Sequence, residues 1–302
     1  MSYRIDPALP VDREVHRIAD EETAAIVAVL EAMPEGRQTA VHAARKRLKR
    51  LRGLLKLIGN GNKEFHDRFN VLFRDLQRAL SHARDADALV ETVDRFRSDG
   101  KAGPDDLQAI REHLTSRRDR IVHETSAFDE ARAATLSDLR AAREAFAELE
   151  LPDHPEEGAA LLAHGARAMV QKAKKSLKHA RKRGEADDFH ELRKALKYHW
   201  MHLGLLGDMW PGASSARRNR ANALGDLLGE LNDIANMYDL LDAEEHVIRA
   251  PESVARFRKK LEKREKALRK AILTRADALL EGEGKKLRKK IGRAMAKAGK
   301  AR

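Results

Sequence analysis

An offset of 148 residues, the step from His42 to His190, brings two distant stretches of this chain into register. Residues 41–58 read VHAARKRLKRLRGLLKLI and residues 189–206 read FHELRKALKYHWMHLGLL. The same step carries Arg45 onto Arg193, Lys46 onto Lys194, Leu48 onto Leu196 and Lys49 onto Lys197. Further along it carries Leu76 onto Leu224, Leu80 onto Leu228 and Asp85 onto Asp233, with no gap. Chance does not hold register over such a distance. The expectation is an internally duplicated chain, with residues 10–150 and 156–300 as its halves, Pro152 and Pro155 at the joint, and a pseudo-twofold axis relating the copies.

Each copy has the periodicity of a helix. Val41, Ala44, Leu48, Leu51, Leu55 and Ile58 recur at three- and four-residue steps and form a stripe for burial. Beside that stripe runs a second one, His42, Arg45, Lys49, Arg52 and Lys56. At about 100° per residue the five fall within roughly 80° of arc, and at about 1.5 Å per residue the row is roughly 21 Å long. A row of that length suits an extended polyanion better than one small phosphate ester. Lys and Arg usually face solvent, and here Lys46 and Arg50 already fill the solvated face, so the bordering row asks for another explanation. An aspartate follows each copy, Asp85 in Arg-Asp and Asp233 in Asn-Asp. Each is expected to cap a helix, and each is also placed to orient an arginine of the row.

The rest of the chain reads as helix as well, which predicts an all-α fold. Apolar residues at helical spacing mark 12–33, 63–81, 105–126, 128–149, 157–183, 216–230 and 233–249, with a long charged helix from Pro251. The end, 285–302, is basic with little core pattern and is expected to be solvated or frayed. A further basic row, Arg167, Lys174, Lys178 and Arg181, lies on the helix that opens the second half. With 60 Lys and Arg against 48 Asp and Glu, a formal charge of +12 favours phosphate polymers, nucleic acid or acidic lipid as partners. The absence of cysteine excludes disulfides, thiolate metal sites and a cysteine nucleophile. No run of eighteen apolar residues and no leader pattern is present, so the expected location is the cytoplasm, with no membrane partner.

The paired His-x-x-Arg-x-x-x-Lys stripes and the acidic elements after them resemble the CHAD family, the conserved histidine α-helical domain. That resemblance implies two helical bundles around a basic central cavity that binds inorganic polyphosphate without catalysis and without a cofactor. It also implies a bacterial protein associated with polyphosphate granules and, through them, with other granule proteins. Carried over residue by residue, His42, Arg45, Lys49 and Arg52 match the first motif and His190, Arg193 and Lys197 the second, with Lys46 and Lys194 adjacent. Lys56, Arg167, Lys174 and Lys178 complete the expected polyphosphate contacts, and Asp85 and Asp233 the orienting carboxylates. Trp200 departs from the pattern, standing where the offset would place the counterpart of Arg52.

Other readings compete. His199 and His202 are an i, i+3 pair, but a metal site needs three or four ligands and no third falls in register. His66-Asp67 is the dipeptide of a helical phosphohydrolase acting on phosphate esters, yet its partner position under the repeat, 214, is Ser and no nucleophile, base and orienter assemble. A nucleic-acid-binding helical protein is the nearer alternative given the charge, with weak nucleic-acid binding expected in any case. Against it, only 4% of residues are aromatic and the basic rows lack interleaved rings for base stacking.

Overall fold

The computed structural model describes residues 3–300 except 81, 99–106, 124, 211–214, 245, 249 and 285; the side chains of 82–85, 122–123 and 125–127 also lie outside the description. Among the described residues the chain forms helices and no strand. They are α1 (Val11–Ala32), α2 (Gly36–Ile58), α3 (Lys63–Ala79), α4 (His82–Ser98), α5 (Gln108–His123), α6 (Thr125–Ala147), α7 (Pro155–Lys182), α8 (Ala186–Leu205), α9 (Ser215–Glu244), α10 (Pro251–Leu280) and α11 (Leu287–Lys300).

Local chemistry sets many of their ends. Asn62 caps α3 by accepting the Phe65 N–H at 3.0 Å. Prolines 155 and 251 open α7 and α10, where a missing N–H costs nothing. Met33 closes α1 in the left-handed conformation, φ 41°, returning its N–H to the Val29 carbonyl.

The apolar stripe of α2 is buried at every position expected, from Val41 to Ile58. α1 packs on α2, α2 on α3, α4 on α5 and α6 on α1; in the second half α7 packs on α8, α8 on α9, α9 on α10 and α11 on α7. An aromatic knot of Phe65, Phe69, Phe73 and Phe146 joins α3 to α6, with Phe73 and Phe146 stacked at 6.3 Å. The halves meet where α2 approaches α7 and α8. Gly53 makes this possible, because a Cβ there would lie 2.8 Å from Met201 Sδ and 2.9 Å from the Tyr3 hydroxyl. Gly165 of α7 lies flat against the backbone of Leu57 for the same reason. The leading segment fastens the junction: the Tyr3 hydroxyl donates to the Arg50 carbonyl at 2.6 Å, and the Ile5 N–H to the Leu205 carbonyl at 2.9 Å.

Three expectations are corrected. α9 is one unbroken helix of 30 residues where two were expected, so Asp233 is mid-helix and caps nothing. α4 begins at His82, which puts Asp85 inside its first turn; the Asp85 side chain lies outside the described residues. The basic end is neither frayed nor fully solvated, since Leu287, Ile291 and Met295 of α11 are buried against α7. No described helix is long and apolar enough to cross a membrane.

Candidate anion-binding groove

Two layers of α-helix position the site. Leu48 and Leu51 anchor one side of α2 in the core, and Leu192 and Leu196 anchor α8. With those faces fixed, the adjoining basic faces of the two helices turn toward a shared groove of about 490 Å³. His42, Arg45, Lys46 and Lys49 line it from α2, and Arg193 and Lys197 from α8. α9 closes the third side with Asn232, Asp233 and Asn236, and Trp200 and Met201 form its apolar end. Six expected binding residues therefore converge.

The electrostatics of that convergence are unbalanced. Arg193 is about half withdrawn from water, and its Nε has no hydrogen-bond partner among the described residues. Desolvation pulls its guanidinium below the usual arginine value, and Asp233 pushes the other way. Lys197 is drawn down likewise, first by desolvation and then by the neighbouring Arg193, against the pull of Asp226. Asp233 lies 3.8 Å from Arg95, a looser contact than a hydrogen bond. The groove thus concentrates positive charge beside low-dielectric protein, where an incoming anion meets a strong field.

The remaining expected residues lie elsewhere. Arg52 turns to α3, donating to Asn70 Oδ1 at 3.2 Å and to Gln77 Oε1 at 3.0 Å, while the Gln77 amide donates to the Arg45 carbonyl. Lys56 donates to His66 Nε2 at 2.9 Å, and His66 Nδ1–H donates to Asp67 at 2.8 Å. The His66-Asp67 pair thus holds a lysine. Desolvation lowers the Lys56 ammonium, helped by Arg52 and Lys172. Lys194 is paired with Glu191, which also holds Lys172 at 3.2 Å.

His190 Nδ1–H donates to Asn232 at 2.8 Å and opens onto a neighbouring cavity of about 310 Å³. Arg167 faces a different cavity with Lys286 and Arg288, Lys174 donates to the Glu283 carbonyl at 3.1 Å, and Lys178 is exposed. The row on α7 misses the groove because the small-residue face of that helix, with Gly158 and Gly165, is the one turned inward to α1 and α2. Arg50, expected on the solvated face, instead shares the buried Glu22 carboxylate with Arg47.

Several groove residues were not singled out from the sequence. Asn236 lines its wall, while Arg95 of α4 and Asp226 line a second compartment of about 440 Å³ on α9 that shares Trp200 with it. Asn236 lies three residues after Asp233 and Asp226 seven before it on the same helix, a signal available only once α9 is read as continuous. His199 and His202 are fully buried beneath Trp210 and Gly53. His202 Nε2–H donates to the Gly53 carbonyl at 3.0 Å, and neither ring nitrogen of His199 has a partner. No group of three or more potential metal ligands occurs among the described residues.

The family model of the CHAD domain matches residues 17–242. The chain belongs to the CHAD domain family. Its fold agrees with the crystal structure of the CHAD domain from the plant Ricinus communis, at a TM-score of 0.66 and 22% identity, over 93% of this chain and 95% of that one. No curated protein matches the sequence.

Proposed function

We propose that this CHAD domain binds inorganic polyphosphate in the groove between α2 and α8, without chemical turnover. The observation that carries the reading is the meeting of His42, Arg45, Lys46 and Lys49 with Arg193 and Lys197 on one cavity, from helices that are 148 residues apart in register. Arginine forks contact paired phosphoryl oxygens, lysines act as point charges, and the Arg193 Nε–H supplies a donor that has no acceptor among the described residues. The reading takes the halves as copies of one unit. Their matching helix order supports this, as does the contact at Gly53 and Met201, themselves one offset apart. A soluble, cytoplasmic, granule-associated role follows from the same reading.

The test is a competition titration of long-chain polyphosphate, single-stranded DNA and orthophosphate at two salt concentrations, on the parent and on Arg45→Ala with Arg193→Ala. Tight polyphosphate binding that weakens with salt, exceeds DNA binding and is abolished by the double substitution is the expected result. Equal binding of DNA and polyphosphate, indifferent to both arginines, refutes it and leaves a generic basic surface.

A further inference from the structure

The two compartments on either side of Trp200 differ in chemistry. The α2 side is cationic. The α9 side, of about 440 Å³, presents Asn222 and Asp226, and two glycines, Gly225 and Gly229, one turn apart. Arg193, Lys197 and Trp200 belong to both. The α9 side sets Asp226, Glu230 and Asp233 against Arg95, Arg193 and Lys197, so a bare polyanion gains less there than on the α2 side. Glu230 there is occupied by the Arg264 fork, at 2.6 and 2.8 Å, whereas among the described residues the one hydrogen bond to the Asp226 carboxylate is a long 3.3 Å contact from Asn222, with Lys197 acting on it through charge. A Cβ built on Gly225 meets nothing within 4 Å, so the helix surface beside the half-buried indole is empty and flat. Trp200 itself stands where the register of the repeat would supply a second Arg52, so a cation has been exchanged for a ring at the boundary.

We propose that the groove takes a nucleoside polyphosphate, its phosphate chain on the α2 and α8 cations and its nucleoside end on Trp200 and the glycine surface of α9. The base stacks on the indole, and Asp226 accepts from the ribose hydroxyls. This rests on the anion-groove reading above and adds the second compartment to it. Stacking of one base on an aromatic ring is worth about tenfold or more in affinity. Inorganic triphosphate carries more charge per molecule than a nucleoside triphosphate, so charge alone favours the inorganic ligand.

The experiment is calorimetric titration, without divalent cations, of adenosine triphosphate, inorganic triphosphate and long-chain polyphosphate into the parent, Gly225→Leu and Trp200→Phe. Leucine at 225 fills the α9 compartment from a helical position with open space around it, and the circular dichroism and melting of that variant check its fold. The parent is expected to prefer adenosine triphosphate over inorganic triphosphate by about tenfold. Gly225→Leu should erase the preference while leaving inorganic triphosphate within about twofold of the parent, and Trp200→Phe should retain part of it. Long-chain polyphosphate binding with no nucleoside preference, or a preference that survives Gly225→Leu, overturns this inference alone. Absence of binding to all three ligands overturns both readings.

Discussion

Replacing Gly165 with alanine tests whether the two halves are locked together as described. In an open helix the change stabilises by about 1 kcal/mol, because glycine loses more backbone freedom on folding. At 165 the new methyl would overlap the Leu57 carbonyl oxygen and the backbone behind it, atoms that no rotamer change can move. Relief requires α7 to lift from α2 by on the order of 1 Å, and a gap of that size forfeits about a quarter to a half of each dispersion well along the seam. Overpacking of this kind costs about 1–3 kcal/mol, so once the propensity gain of about 1 kcal/mol is offset the net change is a loss of about 1 kcal/mol, at most about 2.

Gly225→Ala supplies the control. Its Cβ meets nothing, so the same chemical change should stabilise by up to about 1 kcal/mol. Urea unfolding followed by circular dichroism and by tryptophan fluorescence reads both, compared at unchanged slope. A Gly165→Ala protein as stable as the parent, or shifted in the same direction as Gly225→Ala, would refute the close α2–α7 approach. With it would go the placement of the cationic face of α2.

Two further outcomes follow. His199 is held down to about 3 and His202 to about 4, chiefly by burial, so both are neutral when folded and charge on unfolding below about 6.5. Their contribution is fully present above that value and is lost as pH falls through the window, at up to about 1.4 kcal/mol per pH unit each; His199→Phe should flatten the urea-midpoint profile between pH 6.5 and 4, and a profile parallel to the parent's counts against the buried pair. Arg193→Met removes a desolvated guanidinium with an unpartnered Nε, so stability should rise by about 1 kcal/mol while polyphosphate affinity falls. Loss of both would make Arg193 a structural residue.

Much of the scaffold was legible in the sequence because its signals are local. The stripe from Val41 to Ile58 and the opening proline of α10 depend on residues a turn or two away. α9 was not, because Asn232-Asp233 read as a boundary; packing on both α8 and α10 carries the helix through it. α11 carried a readable stripe, Leu287, Ile291 and Met295 at four-residue steps, masked by the basic and small residues that make up the rest of the helix. The site divides along the same line. That His42, Arg45 and Lys49 share a face is a property of α2 alone. That Arg52 and Lys56 leave the groove is decided by Asn70, Gln77 and His66 on α3, whose orientation no pattern within α2 encodes.

The pairing of charges separates binding residues from structural ones. Elsewhere in the molecule arginines meet carboxylates closely: Arg47 and Arg50 share Glu22, Arg264 grips Glu230, and Arg111 holds Asp94 at 2.6 Å. Such pairs at partly exposed sites contribute little net stability, yet they cancel the field of each cation. In the groove the balance is different, because Arg193 and Lys197 are depressed by desolvation and by each other, and the nearest carboxylates, Asp233 and Asp226, offset this only in part. Arg193, the more buried of the two, has its charge disfavoured by desolvation with only partial compensation from Asp233. An external anion removes that penalty, and the rigid apolar faces of α2 and α8 keep the cations in position to meet it. By that criterion the α2–α8 groove is the surface on which the proposed function is best tested, and Arg52, Lys56 and Lys174, already bonded within the protein, are its surroundings.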